Sequence, residues 1–521
     1  LNLSRTEDTE NTGPRQLIAW QFRKKLRQDI FDRSRRGYQH FRTIQIYINE
    51  RGTDMGGFFG VVSQHDCASD LFYGTDYHSH LGTRRGGLAV VSREGFKRSI
   101  HNIENDYFRS KFEPELKDLQ GRMGIGIISD YDSQPLIINS HLGRFGIVTV
   151  GKINNIENLG RKAFQKRKYF SETTGTDINP TELVAMLICE EETFSEGISH
   201  VYDSIEGSCS LLLLTRDGVI AARDKLGRTP IVIGKKKGAF AASSESCALL
   251  NLGFEVDYYV GPGEIVSISP DGYTQLKRPG DNMQICSFLW VYYGYPPSNY
   301  EDINVELVRY ECGKALARRD DIEPDLVSGI PDSGIGHAVG YANEKHIPYM
   351  RPYVKYTPTW PRSFMPQNQT MRDLVARMKL IPNSSIINGK KIVFCDDSIV
   401  RGTQLKDNAQ ILFDYGAQEI HMRIACPALI YPCEFLNFST SRSTLDLAGR
   451  TAIREIEGSD EGPLDEYATP GSEKNMAMVE KIRKRLGLSS LKFQTMDDLV
   501  KAIGMPKEKL CTHCWDGSSH F

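Results

Sequence analysis

From Gly57 onward the chain alternates short apolar runs with turns. Phe58–Val62, Gly124–Ser129, Gly146–Val150, Ser210–Thr215 and Val219–Arg223 are apolar runs bounded by Gly, Asp or Asn, which predicts strands. Thr181–Glu192 (TELVAMLICEEE) carries its apolar residues at helical spacing, with Pro180 at a helix start. Gly261, Pro262 and Gly263 lead into a last strand of this set, Glu264–Ile268, and Pro270–Asp281 reads as polar turn. Runs of strands around a few helices predict a layered α+β domain. After Cys286 the rhythm changes. Ile303–Arg318, Gly336–Lys345, Met371–Met378 and Gln404–Tyr415 read as helices. Leu326–Ile330, Ile347–Arg351, Lys391–Cys395 and Glu419–Ala425 read as strands between them. This alternation predicts an α/β domain with a parallel sheet covered on both faces. Met496–Ile503 reads as a final helix, with Thr495 placed to cap it.

The 521 residues call for two or more domains. The expected division is an extension at 1–54, a first domain at 55–285 and a second at 286–521. The extension starts at Leu1, is rich in Arg and Lys, and is expected to hold little fixed structure. Its acids (Glu7, Asp8, Glu10, Asp29, Asp32) argue against an organelle transit peptide, which leaves an upstream extension with the natural start at Met55 or, second, a short propeptide. A formal net charge of −2 points to neither a nucleic-acid nor an anionic-membrane partner. No apolar run approaches the roughly 18–20 residues of a membrane span. The eleven cysteines are scattered and odd in number, which suits a reducing cytoplasm better than a disulfide framework.

The chemistry concentrates in residues 390–404, KKIVFCDDSIVRGTQ. The apolar run Ile392–Cys395 fits a buried parallel strand, and the loop after it fits the strand end where open α/β sheets bind ligands. Asp396 and Asp397 there can engage ribose hydroxyls or a hard Mg²⁺ ion. The backbone N–H groups and hydroxyls that follow can cradle a monophosphate at the start of the next helix. Ile330–Gly336 (IPDSGIG) lies between another strand and helix, and its small residues let backbone N–H groups approach a diphosphate. Between the two, Tyr356–Gln369 is long, Pro-rich and aromatic, and reads as a lid that excludes water.

Residues 390–404 resemble the 5-phosphoribosyl 1-diphosphate (PRPP) signature of type I phosphoribosyltransferases. From about Gly57 to the C-terminus the chain resembles the amidophosphoribosyltransferase (glutamine PRPP amidotransferase) family of purine biosynthesis. The resemblance is carried by Ser210–Gly234, SSESCAL (Ser243–Leu249), PGEIVSI (Pro262–Ile268), IPDSG (Ile330–Gly334), RSFMPQNQ (Arg362–Gln369) and DDSIVRGT (Asp396–Thr403). It implies an N-terminal-nucleophile hydrolase-like αββα domain, of the type 2 glutamine amidotransferase kind, followed by a phosphoribosyltransferase domain. In that family Asp396 and Asp397 would hold the ribose hydroxyls and, with Ser333, Mg²⁺. Ser398, Ile399, Val400, Arg401, Gly402 and Thr403 would cradle the 5-phosphate, and Arg362 and Gln367 would sit on the lid. Two departures stand out: Gln404 replaces a second Thr, and Thr357–Pro361 replaces the family's Asn-Arg-Tyr run.

The first domain departs further. The family opens on a catalytic Cys, and Gly56 stands in its place, with no side chain to attack an amide. Gly126-Ile127-Ile128-Ser129 replaces Gly-His-x-Arg, whose Arg grips the glutamine carboxylate, and Val150-Gly151 replaces the Asn-Gly of the oxyanion hole. Gln134-Pro135 still matches, and Asn154 and Asn155 remain nearby. Cys67 is expected to be a buried core residue, and His101 structural or exposed. These departures imply an inactive glutaminase half.

Cys511-Thr-His-Cys514 is a CxxC, a pattern met in metal sites. In one branch of the family four cysteines hold a [4Fe–4S] cluster, and their counterparts here are Cys286, Cys433, Cys511 and Cys514. Thiolates suit iron–sulfur or Zn²⁺, so zinc is the second choice. Cys189, Cys209, Cys247, Cys312, Cys395 and Cys426 fit the core. Two functions follow from the resemblance. One is a pentosyltransferase making 5-phosphoribosylamine from PRPP with ammonia rather than its own glutamine. The other is a non-catalytic PRPP- or nucleotide-binding regulator. The family also implies purine nucleotides as inhibitors and a homo-oligomer.

Overall fold

The computed structural model describes residues 56–171, 173–174, 177–355, 380–436, 444–459 and 462–518. The extension, the helix expected at Met371–Met378, and the lid with Arg362 and Gln367 lie outside the described residues.

Up to residue 277 two antiparallel sheets stack face to face. The first has seven strands in the order Glu255–Tyr259, Val232–Lys236, Ala239–Ser243, Gly56–Ser63, Met123–Ser129, Arg85–Ser92, Gly95–Asn102. The second has six, in the order Gly272–Lys277, Ile265–Ser269, Val219–Ala222, Gly207–Leu214, Gly143–Ile153, Leu136–Ser140. Successive side chains on a strand face opposite ways, and the core follows that period. Phe58, Val62, Ile125 and Ile127 meet Val148, Val150, Leu212 and Leu214 between the sheets. The alternate residues Phe59, Val61, Leu88 and Ile128 pack on Leu71 and Phe72 of the helix Ala68–Asp76. Leu211 and Leu213 pack on Leu183 and Leu187 of Pro180–Ile188 and on Ile198 and Val201 of Phe194–Ser204. The four layers are α, β, β, α. Both faces of the inner strands are covered, so they read as unbroken apolar runs, and each buried Leu, Ile or Val contributes about 1.5–3 kcal/mol.

Two expectations are corrected. Pro270–Asp281 is not all turn: Gly272–Lys277 is an edge strand most of whose side chains, Tyr273 apart, face water, so it carries no apolar pattern. Ile347–Arg351 is not a strand; it makes one isolated bridge, Tyr349 to Val327. Pro348 and Pro352 carry no N–H, and the segment makes only two backbone bonds to the strand that holds Val327, from the Val327 amide to the Pro348 carbonyl and from the Met350 amide to the Val327 carbonyl. Arg85–Ser92, Gly95–Asn102 and Val232–Lys236 are strands the pattern did not announce.

The second half holds a four-stranded parallel sheet in the order Leu326–Gly329, Lys391–Asp396, Glu419–Ile424, Ser490–Phe493. Ile392, Val393, Phe394 and Cys395 are all buried, as a strand covered on both faces requires. Val305–Arg318 and Ile335–Lys345 are its first helices, Thr403–Asp414 and Glu473–Leu486 later ones. The first two pack unusually close: a Cβ on Gly313 would lie 1.9 Å from the His337 carbonyl oxygen, and one on Gly340 would lie 2.0 Å from that of Tyr310. Thr495 caps Met496–Ile503 as expected, its side chain accepting from the Asp498 amide. The apolar core from Ile285 to Trp515 joins these elements.

Candidate functional site

The carboxyl ends of the two central parallel strands build the site. Gly329 pairs with Cys395, and the chain leaves both strands side by side. The Ile330 amide donates to the Cys395 carbonyl at 2.9 Å. A Cβ on Gly334 would stand 2.2 Å from that same oxygen, so only glycine lets the loops close together. This contact brings Ser333 to Asp396: the hydroxyl donates to Oδ1 at 3.3 Å. The three residues assigned to Mg²⁺ in the sequence are therefore neighbours.

Asp396 Oδ1 also accepts from the Asp397 amide at 3.0 Å, and Asp397 Oδ1 accepts from the Ser398 hydroxyl at 2.6 Å. Burial, reinforced by the charge of Asp397, pushes the Asp396 carboxyl well above its ordinary range. Two adjacent acids at a strand end repel each other, and a dication or ribose hydroxyls would relieve that repulsion. The loop Ser398–Gly402 then turns into the helix Thr403–Asp414. Gly402 takes φ +77°, which glycine adopts without a Cβ penalty. The N-cap residue of this twelve-residue helix is Gly402, which has no side chain to cap it, so its first amides face the loop. Ile399 is buried and turned into the core. Arg401 faces Asp446 at 3.4 Å.

Sequence reasoning missed Arg309. It is 4% exposed and donates to the carbonyls of Trp290, Tyr292 and Gly294 at 3.0, 2.9 and 2.8 Å. Burial pulls its guanidinium below the ordinary range, while the charge of Asp397 works against that pull. It was detectable as an arginine among Val305, Val308 and Cys312 on the inner face of its helix.

In the first half, Gly56 opens its strand opposite Ser129. A Cβ there would lie 2.8 Å from the Ile128 carbonyl oxygen. Gly151 has φ +148°, and its Cβ would lie 2.0 Å from the Ser208 carbonyl oxygen. Val150 is buried between the sheets. Cys67 is buried, and burial with Asp66 and Asp70 beside it pushes its thiol up, away from the reactive thiolate. His101 pairs with Glu115 at 2.9 Å in a half-exposed position.

The four cysteines singled out in the sequence converge. Cys286 pairs with Cys511 between two short parallel strands. The Ile430 and Tyr431 amides both donate to the Cys514 carbonyl at 3.1 Å, which brings Cys433 alongside. All four line one cavity with Arg228, Phe288, Phe435, Leu436 and Trp515. The space among these side chains is about 330 Å³, counting what opens to solvent. His513 turns away, its Nε2 meeting the Pro432 carbonyl at 3.2 Å. Among the described residues, no three His, Cys, Asp or Glu side chains are set to hold a single metal ion.

A model of the glutamine amidotransferase domain matches residues 120–251. The amidophosphoribosyltransferase of Methanocaldococcus jannaschii is 30% identical over 495 residues, spanning 89% of this chain and 97% of the relative. That of Archaeoglobus fulgidus is 32% identical over 459 residues, spanning 85% and 93%. The chain belongs to the amidophosphoribosyltransferase family. A solved glutamine PRPP amidotransferase from Bacillus subtilis, complexed with ADP and GMP, superposes with a TM-score of 0.76 at 27% identity over 89% of this chain and 96% of that one. The amidophosphoribosyltransferase fold thus accounts for both halves: an N-terminal-nucleophile hydrolase-like αββα part, then a type I phosphoribosyltransferase part. The glutamine amidotransferase model ends before Cys286, so the four cysteines lie outside the segment it matches. Among the described residues, no helix is long and apolar enough to cross a membrane.

Proposed function

We propose that this amidophosphoribosyltransferase-family chain forms 5-phosphoribosylamine from PRPP with free or donated ammonia, and that its glutaminase half is inactive. The observation that carries the first clause is the Ser333–Asp396–Asp397 constellation beside an uncapped helix start. Asp396 and Asp397 orient the ribose through its hydroxyls. The amides of Ser398–Thr403 hold the 5-phosphate at the helix N-terminus. Arg362 and Gln367 act from the lid. Mg²⁺, held by Ser333, Asp396 and Asp397, would draw charge off the departing diphosphate. The nitrogen lone pair forms the new bond at ribose C1, the C1–O bond to pyrophosphate breaks, and the amine sheds one proton. An oxocarbenium-like transition state rewards positioning and exclusion of water, and it needs no side-chain nucleophile.

The second clause rests on Gly56. A side chain there would press on the Ile128 carbonyl, and no arginine stands at Ser129 to hold the glutamine carboxylate. The domain boundary we propose near residue 285 is supported by the change from antiparallel strands, the last of the two stacked sheets ending at Lys277, to the later parallel sheet.

The four cysteines fit a [4Fe–4S] cluster better than Zn²⁺. They share one cavity, yet they are not drawn around a single point as one ion requires. Held there, the cluster would staple the C-terminal tail to Cys286 and Cys433. None of the eleven cysteines is paired in a disulfide. Because a Bacillus subtilis relative was solved with ADP and GMP, purine nucleotides are the first inhibitors to try.

The test is pyrophosphate release from PRPP and Mg²⁺ with either ammonium chloride or glutamine. Turnover with ammonium alone is expected. Robust turnover with glutamine refutes the reading of Gly56. PRPP binding without turnover on either nitrogen source replaces the enzyme with a regulator.

A further inference from the structure

Arg228 comes from the αββα half, yet it is a wall of the cavity that the four cysteines line. It is 2% exposed. Its guanidinium lies 3.5 Å from the centroid of the Phe435 ring, another wall of the same cavity. It stands beside the Cys511 thiol, where its positive charge works against the burial that pushes that thiol up. Its backbone carbonyl accepts from the Cys286 amide at 3.1 Å, so the same residue fixes one cysteine and faces another. Two more side chains of the αββα half grip the neighbouring loop. Lys152 Nζ donates to the Cys433 carbonyl at 3.1 Å, and Asn154 Nδ2 to the Glu434 carbonyl at 2.8 Å. Lys152 and Asn154 follow the stretch where the family keeps its oxyanion hole.

We propose that Arg228 tunes the iron–sulfur cluster from outside its ligand set, standing beside the Cys511 sulfur and supplying the positive charge that favours the cluster's more negative oxidation state. The inference rests on the cluster assignment made above. A buried guanidinium is costly unless it meets negative charge. A [4Fe–4S] cluster with four thiolates carries about −2, and about −3 after gaining one electron. A cation beside the cluster stabilises the second state more than the first, because the interaction scales with charge. Net charge and hydrogen bonds to sulfur are the means by which proteins set such potentials. A thiolate beside a cation is also a weaker nucleophile towards oxidants. The αββα half, though it lacks its nucleophile, still closes over the cluster and sets its electrostatics.

The test uses the full chain, purified anaerobically, as wild type, Arg228→Met and Arg228→Lys. Iron and sulfide are counted, the midpoint potential is read by titration with dithionite or a photoreduced deazaflavin under electron paramagnetic resonance, and the loss of visible absorbance in air is timed. Arg228→Met is expected to keep about four irons per chain under argon. Its midpoint should move to more negative potential, and its colour should bleach several-fold faster in air. Arg228→Lys keeps the charge without the planar fork, and should fall between the two. If Arg228→Met assembles no cluster, the comparison of Arg228→Lys with wild type carries the test. An iron-loaded variant with wild-type potential and bleaching rate overturns the inference. A wild-type chain without iron overturns the cluster assignment instead.

Discussion

Glu245→Gln would discharge a buried carboxylate that ties the αββα half to the segment leading into the second sheet. Glu245 is 1% exposed. Its Oε1 accepts from His80 Nε2 at 2.9 Å, from the Tyr300 hydroxyl at 2.9 Å and from the Tyr295 amide at 3.3 Å. Its Oε2 accepts from the Ser298 hydroxyl at 3.2 Å. Burial by itself would raise the carboxyl, but the neighbouring His80, then His78 and Tyr300, outweigh it and bring the group down to about 2. The folded value lies below the ordinary 4.5, so the stability it supplies is fully present above about 4.5 and is lost as pH falls through about 2. A fall from 4.5 to about 2, at roughly 1.4 kcal/mol per pH unit, makes the charge worth about 3 kcal/mol at pH 7.

Gln keeps one acceptor oxygen, enough for Tyr300 at the Oε1 position but not also for Ser298 at Oε2, and loses the charge. Ala loses both, and each buried hydroxyl left without an acceptor adds roughly 1–3 kcal/mol. Glu245→Ala should therefore be the more damaging change. Urea unfolding followed by tryptophan fluorescence reads this contact directly, because buried Trp290 stands edge-on to Tyr300 with centroids 5.7 Å apart. The gap between wild type and Glu245→Gln should close as pH falls from 4.5 towards 2. A Glu245→Gln chain with the wild-type midpoint at pH 7, or one less stable than Glu245→Ala, refutes the reasoning.

Other expectations follow from the same contacts. Asp396→Asn, which removes a charge proposed to engage ribose or metal, should weaken PRPP binding by calorimetry about 10–100-fold, in line with roughly 1.5–3 kcal/mol for a hydrogen bond to a charged group, with little change in melting temperature. Gly334→Ala forces a Cβ to within 2.2 Å of the Cys395 carbonyl, so it should separate Ser333 from Asp396 and lower PRPP affinity. Gly56→Cys should not restore glutamine turnover, and its Cβ, 2.8 Å from the Ile128 oxygen, should lower the melting temperature. Asp320→Ala strands Arg423, whose guanidinium is fully buried and pairs with both Asp320 oxygens, and should cost about 3–5 kcal/mol in urea unfolding.

The strands that the pattern announced were those buried on both faces. Ser210–Thr215 and Lys391–Cys395 are unbroken apolar runs because helices or a second sheet cover each side. Edge strands such as Gly95–Asn102 and Gly272–Lys277 were not legible, since water on their outer side leaves polar residues there. The fold class and the loop proposed to hold phosphate are legible because each lies in contiguous residues whose pattern is local: a strand, two acids, a glycine at φ +77° and a helix start. Gly56 was legible in the same way, as one missing side chain at one position.

Other features needed the folded chain. Ser333 meets Asp396 only because Gly334 lets two loops touch, and 63 residues separate the partners. The four cysteines span residues 286 to 514, and parallel pairing of Cys286 with Cys511 closes that distance. Arg228 and Arg309 carry no motif; a cation buried at one end of a core shows its partners only after the core has formed. Amino-acid order decides which groups are present and which short stretches can form strands or helices. Bringing charges from distant stretches within hydrogen-bond range depends on packing, because burial and separation set the strength of each interaction, and both are properties of the tertiary fold.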